Sequence, residues 1–315
     1  MLDKSNIVSA GSVPAAPHSA RQNAGRTRLI LGGFLLGFGL EAACAEALVS
    51  PDKSHYTLFH PTPRELMREL TTDRPDKTES AYSLDAGHFQ VEMDLVTYGR
   101  DRYNTDRRDV GVEAWSVGPV NLKLGLLNNL DAQLVIEAYN WIRVEDRSRQ
   151  PISTDRRSGF GDMTLRAKIN LLGNDGGKTA LGLLPYVKLP TNQNGLGNSS
   201  VEGGLIVPLE YELSQRVGAA LNTGFQMARD ESGPGHHAEF INSLTFGYGL
   251  FGQLSAYTEF WSLVSAESNS DWLASFDLGF NYLLTADLKL DFGVNVGLTR
   301  ATDDWNPFVG LSWRY

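Results

Sequence analysis

The densest group of side chains that could do chemistry lies between residues 72 and 79. The members that we expect to act together are Thr72, Asp73, Arg74, Pro75, Asp76 and Glu79. Proline restricts the backbone in the middle of this stretch, so its charges are held on a stiff piece of chain. Such a segment can pair with opposite charges inside a cavity and act as a plug or gate. The alternative interpretation is a structural tether that seals the strand after it.

Histidine and serine are the other side chains that could carry a reaction. A lipid hydrolase needs a histidine within hydrogen-bond reach of a serine, and His237 could meet Ser243 or Ser232. No nucleophile motif surrounds either serine. His236 and His237 are adjacent, and adjacent residues of a strand point to opposite faces, which disfavours a shared metal. We therefore predict no catalytic residues, no metal site and no cofactor.

Composition excludes several classes of protein. The single cysteine, Cys44, excludes an internal disulfide framework and a thiolate metal site. The net charge of −9 argues against nucleic acid as a partner, because neutralising phosphates requires a basic surface. No stretch of about 18 apolar residues occurs, so the sequence predicts no membrane-spanning helix.

The first 45 residues have the organisation of an export signal. Arg21, Arg26 and Arg28 precede an apolar run at 29–40, which is too short to span a bilayer, and residues 43–45 read Ala-Cys-Ala. We predict cleavage after Ala45. Residues 46–87 lack strand periodicity and contain four prolines, so we expect an irregular periplasmic leader, with one short helix at 63–70 and the plug candidate near its end.

From residue 88 onward, apolar and polar residues alternate with the period of a β-strand. The clearest example runs from 287 to 298, where every second residue is apolar. Twelve such segments lie near 88–100, 109–126, 131–145, 160–171, 178–190, 200–212, 216–229, 236–249, 252–264, 271–283, 287–300 and 304–315. An even number of strands, joined by alternating short turns and longer polar loops, is typical of an outer-membrane barrel.

We therefore predict an all-β fold, a transmembrane antiparallel up-and-down β-barrel of about 12 strands over residues 88–315. Alternation places one set of charged side chains in its lumen, and they could line a narrow wet pore or fill a closed interior. The lumen-lining candidates are Glu92, Asp94, Glu137, Arg166, Lys168, Lys188, Glu210, Lys289 and Asp291. The same alternation puts Arg143 on the lumen face. Leu311, Trp313 and Tyr315 form an apolar C-terminal barrel signal, which implies the barrel-assembly machinery as a partner.

Two motifs resemble a known family. Residues 72–80 read TDRPDKTES and residues 87–92 read GHFQVE. This pattern resembles the family described as "Putative MetA-pathway of phenol degradation", whose members are outer-membrane barrels. The resemblance extends to 159–162, 184–190 and the last six residues, and so covers roughly 71–315. It implies passage of small, often aromatic, compounds across the outer membrane.

The predicted function is an outer-membrane channel or transporter for passive uptake of small, aromatic or hydrophobic molecules in a Gram-negative bacterium. One alternative is a closed structural or interaction barrel that displays its outer loops, and another is an interfacial lipid hydrolase. The expected partners are outer-membrane lipid, lipopolysaccharide and a small-molecule solute. Arginines in the loops at 100–109 and 145–157 could contact lipopolysaccharide phosphates or could simply be solvated.

Overall fold

The computed structural model of the chain describes residues 51–102, 109–230, 234–268 and 270–315. The predicted signal segment and the candidate nucleophile Ser232 lie outside the described residues. None of the described residues forms a helix long and apolar enough to cross a membrane.

The described residues after 88 are almost entirely β-strand, in one antiparallel sheet. The strands are β1 (Phe89–Asp101), β2 (Val110–Val117), β3 (Val120–Leu127), β4 (Leu130–Ile136), β5 (Tyr139–Asp146), β6 (Ser153–Gly159), β7 (Met163–Leu172), β8 (Thr179–Leu189), β9 (Glu202–Ser214), β10 (Val217–Arg229), β11 (His236–Phe251), β12 (Leu254–Ser265), β13 (Leu273–Thr285), β14 (Leu288–Gly297) and β15 (Trp305–Arg314).

Three strands of the barrel are each divided into two segments. β1 pairs with β3 along its first half and with β2 along its second half, so β2 and β3 are successive parts of one strand. β4 and β5 continue each other in the same way, as do β6 and β7. The break between β2 and β3 falls at Gly118-Pro119, where Gly118 has a φ of +66°. Proline there cannot donate to the ladder, which explains the interruption.

The sheet closes on itself. β15 pairs with β14 on one side and with β1 on the other, from Gln90 opposite Arg314 to Arg100 opposite Trp305. Closure leaves no open edge along these strands, as a lipid environment requires. The predicted closed antiparallel barrel of twelve strands is confirmed.

The two ends of the barrel differ. One end, here called the turn end, carries the short connections at 128–129, 173–178, 215–216, 252–253 and 286–287 together with both the start of β1 and the end of β15. The opposite end, the loop end, carries the longer connections. The alternation of connection lengths therefore follows the sequence prediction.

The outer wall of the barrel is apolar. Large exposed side chains such as Phe225, Phe240, Phe292 and Trp313 are each more than 40% accessible. Toward the loop end, the Tyr98 ring packs against Trp115 with a centroid distance of 4.5 Å and against Trp305 with a centroid distance of 5.5 Å. An apolar belt of this size bounded by aromatic rings fits contact with lipid.

In several strands, the set of residues that faces the lumen switches between even-numbered and odd-numbered positions about halfway along the barrel. In β1 the buried residues are Gln90, Glu92 and Asp94, and beyond a bulge at 94–96 they are Thr97 and Gly99. A shift of one residue exchanges the two faces of a strand. Beyond the bulge, the lumen face is therefore set by odd-numbered residues instead of even-numbered ones.

The same reversal occurs across the interruptions in the neighbouring strands. β3 buries Asn121 and Lys123, whereas β2 buries Val112 and Ala114. The reversal changes the buried face from polar toward the turn end to apolar toward the loop end. The prediction for Arg143 is wrong for this reason. Its strand is interrupted after Ile136, and its side chain lies on the outer face, 36% accessible and 3.8 Å from Glu113.

One predicted loop is partly a strand. The sequence predicts a loop at 146–159, but Ser153–Gly159 forms β6 and pairs with β5. β6 consists of Ser, Thr, Asp, Arg and Gly, and most of it is exposed, so apolar alternation could not identify it. Backbone pairing with β5 is enough to order it. Residues 190–201 lie against its end, where the Gln193 amide donates to the Phe160 carbonyl at 2.9 Å.

The leader before β1 has little regular structure. Only one turn of 3-10 helix, Arg64–Leu66, forms where a helix at 63–70 is predicted. Met67 is already extended, so the helix ends after three residues. The leader instead bonds to the barrel, since the Leu58 amide donates to the Leu126 carbonyl at 2.8 Å. It covers the turn end and then enters the lumen.

Candidate functional site

Residues 70–86, here called the inner segment, lie inside the barrel. Ala81 and Ala86 are fully buried, and Asp73, Arg74 and Glu79 are each at most 7% accessible. The segment has no regular secondary structure, so its polar groups must find partners elsewhere. They find them on the inward faces of the strands.

Asp73 is held by two lysines of the wall. Its carboxylate lies 2.5 Å from Lys123 Nζ and forms a second ion pair with Lys168. The backbone amide of Asp73 donates to Glu92 at 3.1 Å, and Glu92 also pairs with Lys123. Burial opposes ionisation of Asp73, but the charges of Lys123 and Lys168 outweigh it and hold the pKa below its usual range. These groups fix the start of the inner segment against β1, β3 and β7.

Arg74 contacts carboxylates of β1 and β14, the two strands on either side of β15. Its Nη2 lies 2.6 Å from Asp94 and 2.7 Å from Asp291, and both carboxylates are buried. The space for the guanidinium comes from Gly310, because a Cβ there would lie 2.2 Å from Arg74 Nη2. The Phe308 ring centroid is 5.9 Å from the guanidinium carbon. Arg74 thus links the inner segment to β1 and β14.

The next residues of the inner segment cross to β12 and β13. Lys77 Nζ lies 3.0 Å from Asp277 and 4.8 Å from the Trp261 ring centroid. The Lys77 amide donates to Glu259 at 2.9 Å, and the Thr78 hydroxyl donates to the same carboxylate at 2.5 Å. Contacts on both sides of the lumen mean that the segment spans its width.

The remaining plug candidates also lie in the lumen. Glu79 lies 2.7 Å from Arg166, and Thr72 accepts a hydrogen bond of 2.7 Å from Lys289. Asp76 follows Pro75 and faces a cleft beside the segment. The structure therefore brings all six residues of the plug candidate inside the barrel.

The nine lumen-lining candidates all lie inside the barrel as well. Seven contact the inner segment: Glu92, Asp94, Arg166, Lys168, Glu210, Lys289 and Asp291. Glu137 and Lys188 instead pair with each other at 3.3 Å, and Asp162 lies 3.7 Å from the same lysine. Their position is nearer the loop end, at the interruption between β4 and β5.

The predicted C-terminal signal residues lie on the outer wall. Trp313 is 42% accessible and Tyr315 is 76% accessible, and Leu311 shares their face of β15. The rings of Trp313 and Tyr315 are adjacent, with centroids 6.0 Å apart. This face is separate from the lumen.

Sequence reasoning missed an apolar zone of the lumen toward the loop end. One cluster projects inward from β8, β9, β11 and β12 and consists of Leu184, Tyr186, Ile206, Ile241, Trp261 and Leu263. A second cluster joins β2 and β5 to the loop residue Leu196, and it contains Val112, Ala114 and Ile142. An apolar residue preceding a run of inward polar ones, such as Ile241 before Ser243 and Thr245, is the signal that could have identified it.

A cleft of about 540 Å³ enters the lumen from the turn end. The inner segment forms one wall through Arg74, Asp76 and Thr78, and the opposite wall includes Thr245 and Tyr257. The turn at 215–216 lies at its mouth. The cleft is lined by both polar and apolar groups and extends beside the inner segment.

The pairing expected of a lipid hydrolase is not formed by the described residues. Ser243 faces the lumen, where its hydroxyl lies 2.7 Å from the Thr78 hydroxyl. His237 contacts carboxylates: its Nδ1 is 3.0 Å from Asp230 and its Nε2 is 3.3 Å from Glu239. A serine buried inside the barrel cannot reach a lipid at the outer surface. Ser243 therefore does not fit the predicted alternative of a hydrolase.

The comparisons with known proteins agree with this architecture. The sequence model of the family described as "Putative MetA-pathway of phenol degradation" matches residues 72–315. No curated protein matches the sequence. An outer membrane channel from Pseudomonas putida F1 is similar in structure, with 14% identity, a TM-score of 0.54, and coverage of 78% of this chain and 100% of that chain.

Two further solved structures are more distant. The NanC porin has 8% identity and a TM-score of 0.47, and the match covers 70% of this chain and 98% of that chain. The CymD monoaromatic hydrocarbon channel has 11% identity and a TM-score of 0.38, with 72% of this chain and 87% of that chain covered. The channel from Pseudomonas putida F1, the most similar of these three, supports the barrel fold.

Proposed function

Because the chain belongs to the family described as "Putative MetA-pathway of phenol degradation", we propose that it is an outer-membrane channel for passive movement of small molecules. The solutes are aromatic or hydrophobic. The closed barrel with an apolar outer wall supports a location in the outer membrane. The turn end faces the periplasm in this proposal, because short turns lie on that side of bacterial barrels.

The observation that carries the proposal is the apolar zone of the lumen. Leu184, Ile206 and Leu263 are each at most 1% accessible and project into the barrel, whereas a water-filled pore requires a polar lining there. Apolar side chains with a tyrosine and a tryptophan favour aromatic and aliphatic solutes over sugars. Toward the turn end, the cleft of about 540 Å³ offers an exit for a solute that has passed the inner segment.

The inner segment acts as the gate in this proposal. It crosses the lumen between Asp94 and Asp277, through Arg74 and Lys77, at 2.6 Å and 3.0 Å respectively. Ion pairs can exchange partners without unfolding the wall, since the barrel ladder does not depend on them. Passage requires that part of this segment move toward the cleft. The tether interpretation predicts instead that loosening these ion pairs destabilises the barrel and leaves permeability unchanged.

Conductance across a planar lipid bilayer tests the channel. Purified protein should give small, discrete conductance steps above the protein-free background. Glu92→Gln and Arg166→Gln remove lumen charges of opposite sign, so they should shift ion selectivity in opposite directions. Absence of any conductance, in wild type and in both variants, would contradict an open path through the lumen.

A closed barrel that displays its loops is the remaining alternative, and no contact in the described residues favours it. It predicts that shortening a loop abolishes binding to a partner and leaves permeability unchanged. Shortening 147–152 and measuring both properties separates the two functions. In our proposal, the same change leaves solute passage intact.

Two membrane partners belong to the same proposal. Arg143 and Arg156 are cross-strand neighbours beyond Trp141 on the outer wall, where arginine forks can bind lipopolysaccharide phosphates. The apolar face of β15 that carries Trp313 and Tyr315 is the surface offered to the barrel-assembly machinery. Secretion to the periplasm through the predicted signal at 1–45 precedes both contacts.

A further inference from the structure

We propose that Asp230, His237 and Glu267 form a binding site for one divalent metal ion of borderline softness, such as Zn²⁺. The site lies at the loop end of the lumen. One oxygen of each carboxylate and a ring nitrogen of the histidine lie within 4.8 Å of one another. These three residues come from the end of β10, the start of β11 and the connection after β12, so the chain brings them together only through the barrel fold.

The distances fit a shared ion. His237 Nδ1 lies 3.0 Å from Asp230 Oδ1 and 3.6 Å from Glu267 Oε2. Ligand atoms that each lie about 2.0–2.2 Å from a zinc ion are separated by roughly 3–4 Å. Nitrogen and oxygen donors in this mixture suit Zn²⁺ better than Ca²⁺ or Mg²⁺, which bind oxygen ligands. Three protein ligands leave a fourth position for water.

The histidine is oriented as a metal ligand is. Its second ring nitrogen, Nε2, lies 3.3 Å from Glu239 Oε1, and the Glu239 side chain is only 5% accessible. A carboxylate on the far nitrogen fixes the tautomer that leaves Nδ1 free to bind a metal. Glu239 is held in turn by Gln226, which accepts a hydrogen bond of 2.7 Å from Tyr186. The site is thereby connected to the apolar zone of the lumen.

The backbone leaves room for the first carboxylate. A Cβ at Gly235 would lie 2.2 Å from Asp230 Oδ2, so glycine permits Asp230 to turn toward His237. The Asp230 amide donates to the Gly235 carbonyl at 3.1 Å, which fixes the base of this connection. The adjacent His236 is exposed and lies near Ser200, with 3.4 Å between Nε2 and Oγ. It does not belong to the site.

Isothermal titration of the detergent-solubilised full chain with ZnCl₂ tests the proposal. Wild type should bind Zn²⁺ in a saturable manner, with one site removed by His237→Ala and weakened at least tenfold by Glu267→Gln. Glu239→Gln keeps all three ligands but loses the orienting carboxylate, so its affinity should fall roughly ten- to a hundredfold. His236→Ala removes a neighbouring imidazole and should bind as wild type does.

Two results would overturn the proposal. One is an absence of saturable Zn²⁺ binding by wild type, and the other is binding by His237→Ala that equals wild type. The faster gel mobility of an unheated barrel reports folding of each variant, and Glu267→Gln and Glu239→Gln decide the matter if His237→Ala does not fold. The titration does not measure transport, so its outcome is independent of the channel proposal.

Discussion

At the scale of single residues, Arg74 holds the inner segment to the wall most directly. Two buried carboxylates, Asp94 and Asp291, lie within 2.7 Å of its guanidinium. Removing one partner of a buried ion pair costs about 3–5 kcal/mol, because a charge is left without compensation. The loss here falls on the contact between segment and barrel.

Arg74→Gln should therefore loosen the inner segment and raise the conductance of the channel in planar bilayers. Arg64→Gln is the matched control. Arg64 pairs with Asp287 at the turn end, but its side chain is 72% accessible, and exposed pairs contribute about 0–1 kcal/mol. Equal conductance in wild type and both variants would contradict a gating role for Arg74.

The residues that face the lumen can be predicted from the sequence where a strand is regular. Alternation places Lys168 and Asp291 on the inward face, and both are buried inside the barrel. It fails for Arg143, because an interruption that exchanges the faces leaves no mark in hydropathy. The partners of Asp73 and Arg74 could not be predicted either, since pairing between distant strands decides them. The role of these residues in gating stays a prediction.

At the scale of elements, β15 and the inner segment fit each other through one glycine. A Cβ at Gly310 would lie 2.2 Å from Arg74 Nη2 and 2.6 Å from the Met93 carbonyl. Gly310→Ala should displace the guanidinium, lower thermal stability, and increase conductance in the same direction as Arg74→Gln.

Gly247→Ala provides the control for that substitution. Gly247 lies in β11, and a Cβ there meets no atom within 4 Å. This variant should match wild type in both melting temperature and conductance. A Gly310→Ala protein that also matched wild type would show that the close fit around Arg74 does not constrain the segment.

The leader is fixed at the turn end by carboxylates of two turns. Asp175 lies 2.6 Å from Lys53 and 2.8 Å from Arg68, and Asp287 pairs with Arg64 and with Arg314 at 2.9 Å. Burial raises the pKa of each carboxyl. For Asp175, hydrogen bonds from Lys53 and Asn128 outweigh the effect of burial. For Asp287, the hydrogen bond and the positive charge of Arg314 outweigh it. The pKa of each carboxyl therefore lies below the ordinary value for aspartate.

Attachment of the leader should therefore depend on acidity. A carboxyl with a depressed pKa in the folded state stabilises that state above its unfolded pKa of about 3.9, and the contribution is lost as pH falls further. Amide hydrogen exchange of residues 51–70, corrected for the intrinsic effect of pH, should accelerate below about pH 4. In Asp175→Asn this acceleration should be weaker. An identical dependence of exchange on pH in wild type and variant would contradict the role of Asp175 in holding the leader.

The elements themselves were predictable to a large extent. Strand alternation and turn length identify the twelve strands, because inward and outward faces meet different environments. β6 was missed because its sequence lacks an apolar face. Gly118-Pro119 predicts a bulge in its strand, and the other two interruptions were missed because they have no such recognisable breaker. The short helix predicted at 63–70 is replaced by contacts of the leader with the turn end.

At the scale of the whole molecule, the inner segment and the apolar clusters lie in different halves of the lumen. The inner segment and its ion pairs occupy the half toward the turns, and the apolar clusters occupy the half toward the loops. In the proposed channel, a solute entering from the loop end would pass buried polar groups such as Lys188 and Glu239 as well as the apolar clusters before it reached the inner segment. We expect the apolar clusters to favour apolar solutes and the ion pairs of the inner segment to restrict ions.

Ile241→Thr tests the role of the apolar zone of the lumen. Ile241 faces the lumen and is 2% accessible, so a hydroxyl there should reduce the passage of aromatic acids several-fold and leave ion conductance unchanged. Phe240→Leu is the control: Phe240 precedes Ile241, lies on the lipid-facing wall and is 49% accessible. This variant should change neither the passage of aromatic acids nor the ion conductance. Equal effects of both variants would contradict selection by the lumen lining.

Uptake of radiolabelled solutes into proteoliposomes is the most direct test of the central claim, that small apolar solutes pass through the lumen of this barrel. The panel comprises aromatic acids, phenols and sugars, and protein-free liposomes correct for permeation through lipid. We expect aromatic acids to enter faster than in the protein-free control, sugars to remain near it, and Arg74→Gln to increase entry. Uptake no faster than in protein-free liposomes for every solute, in wild type and in Arg74→Gln, would contradict the claim.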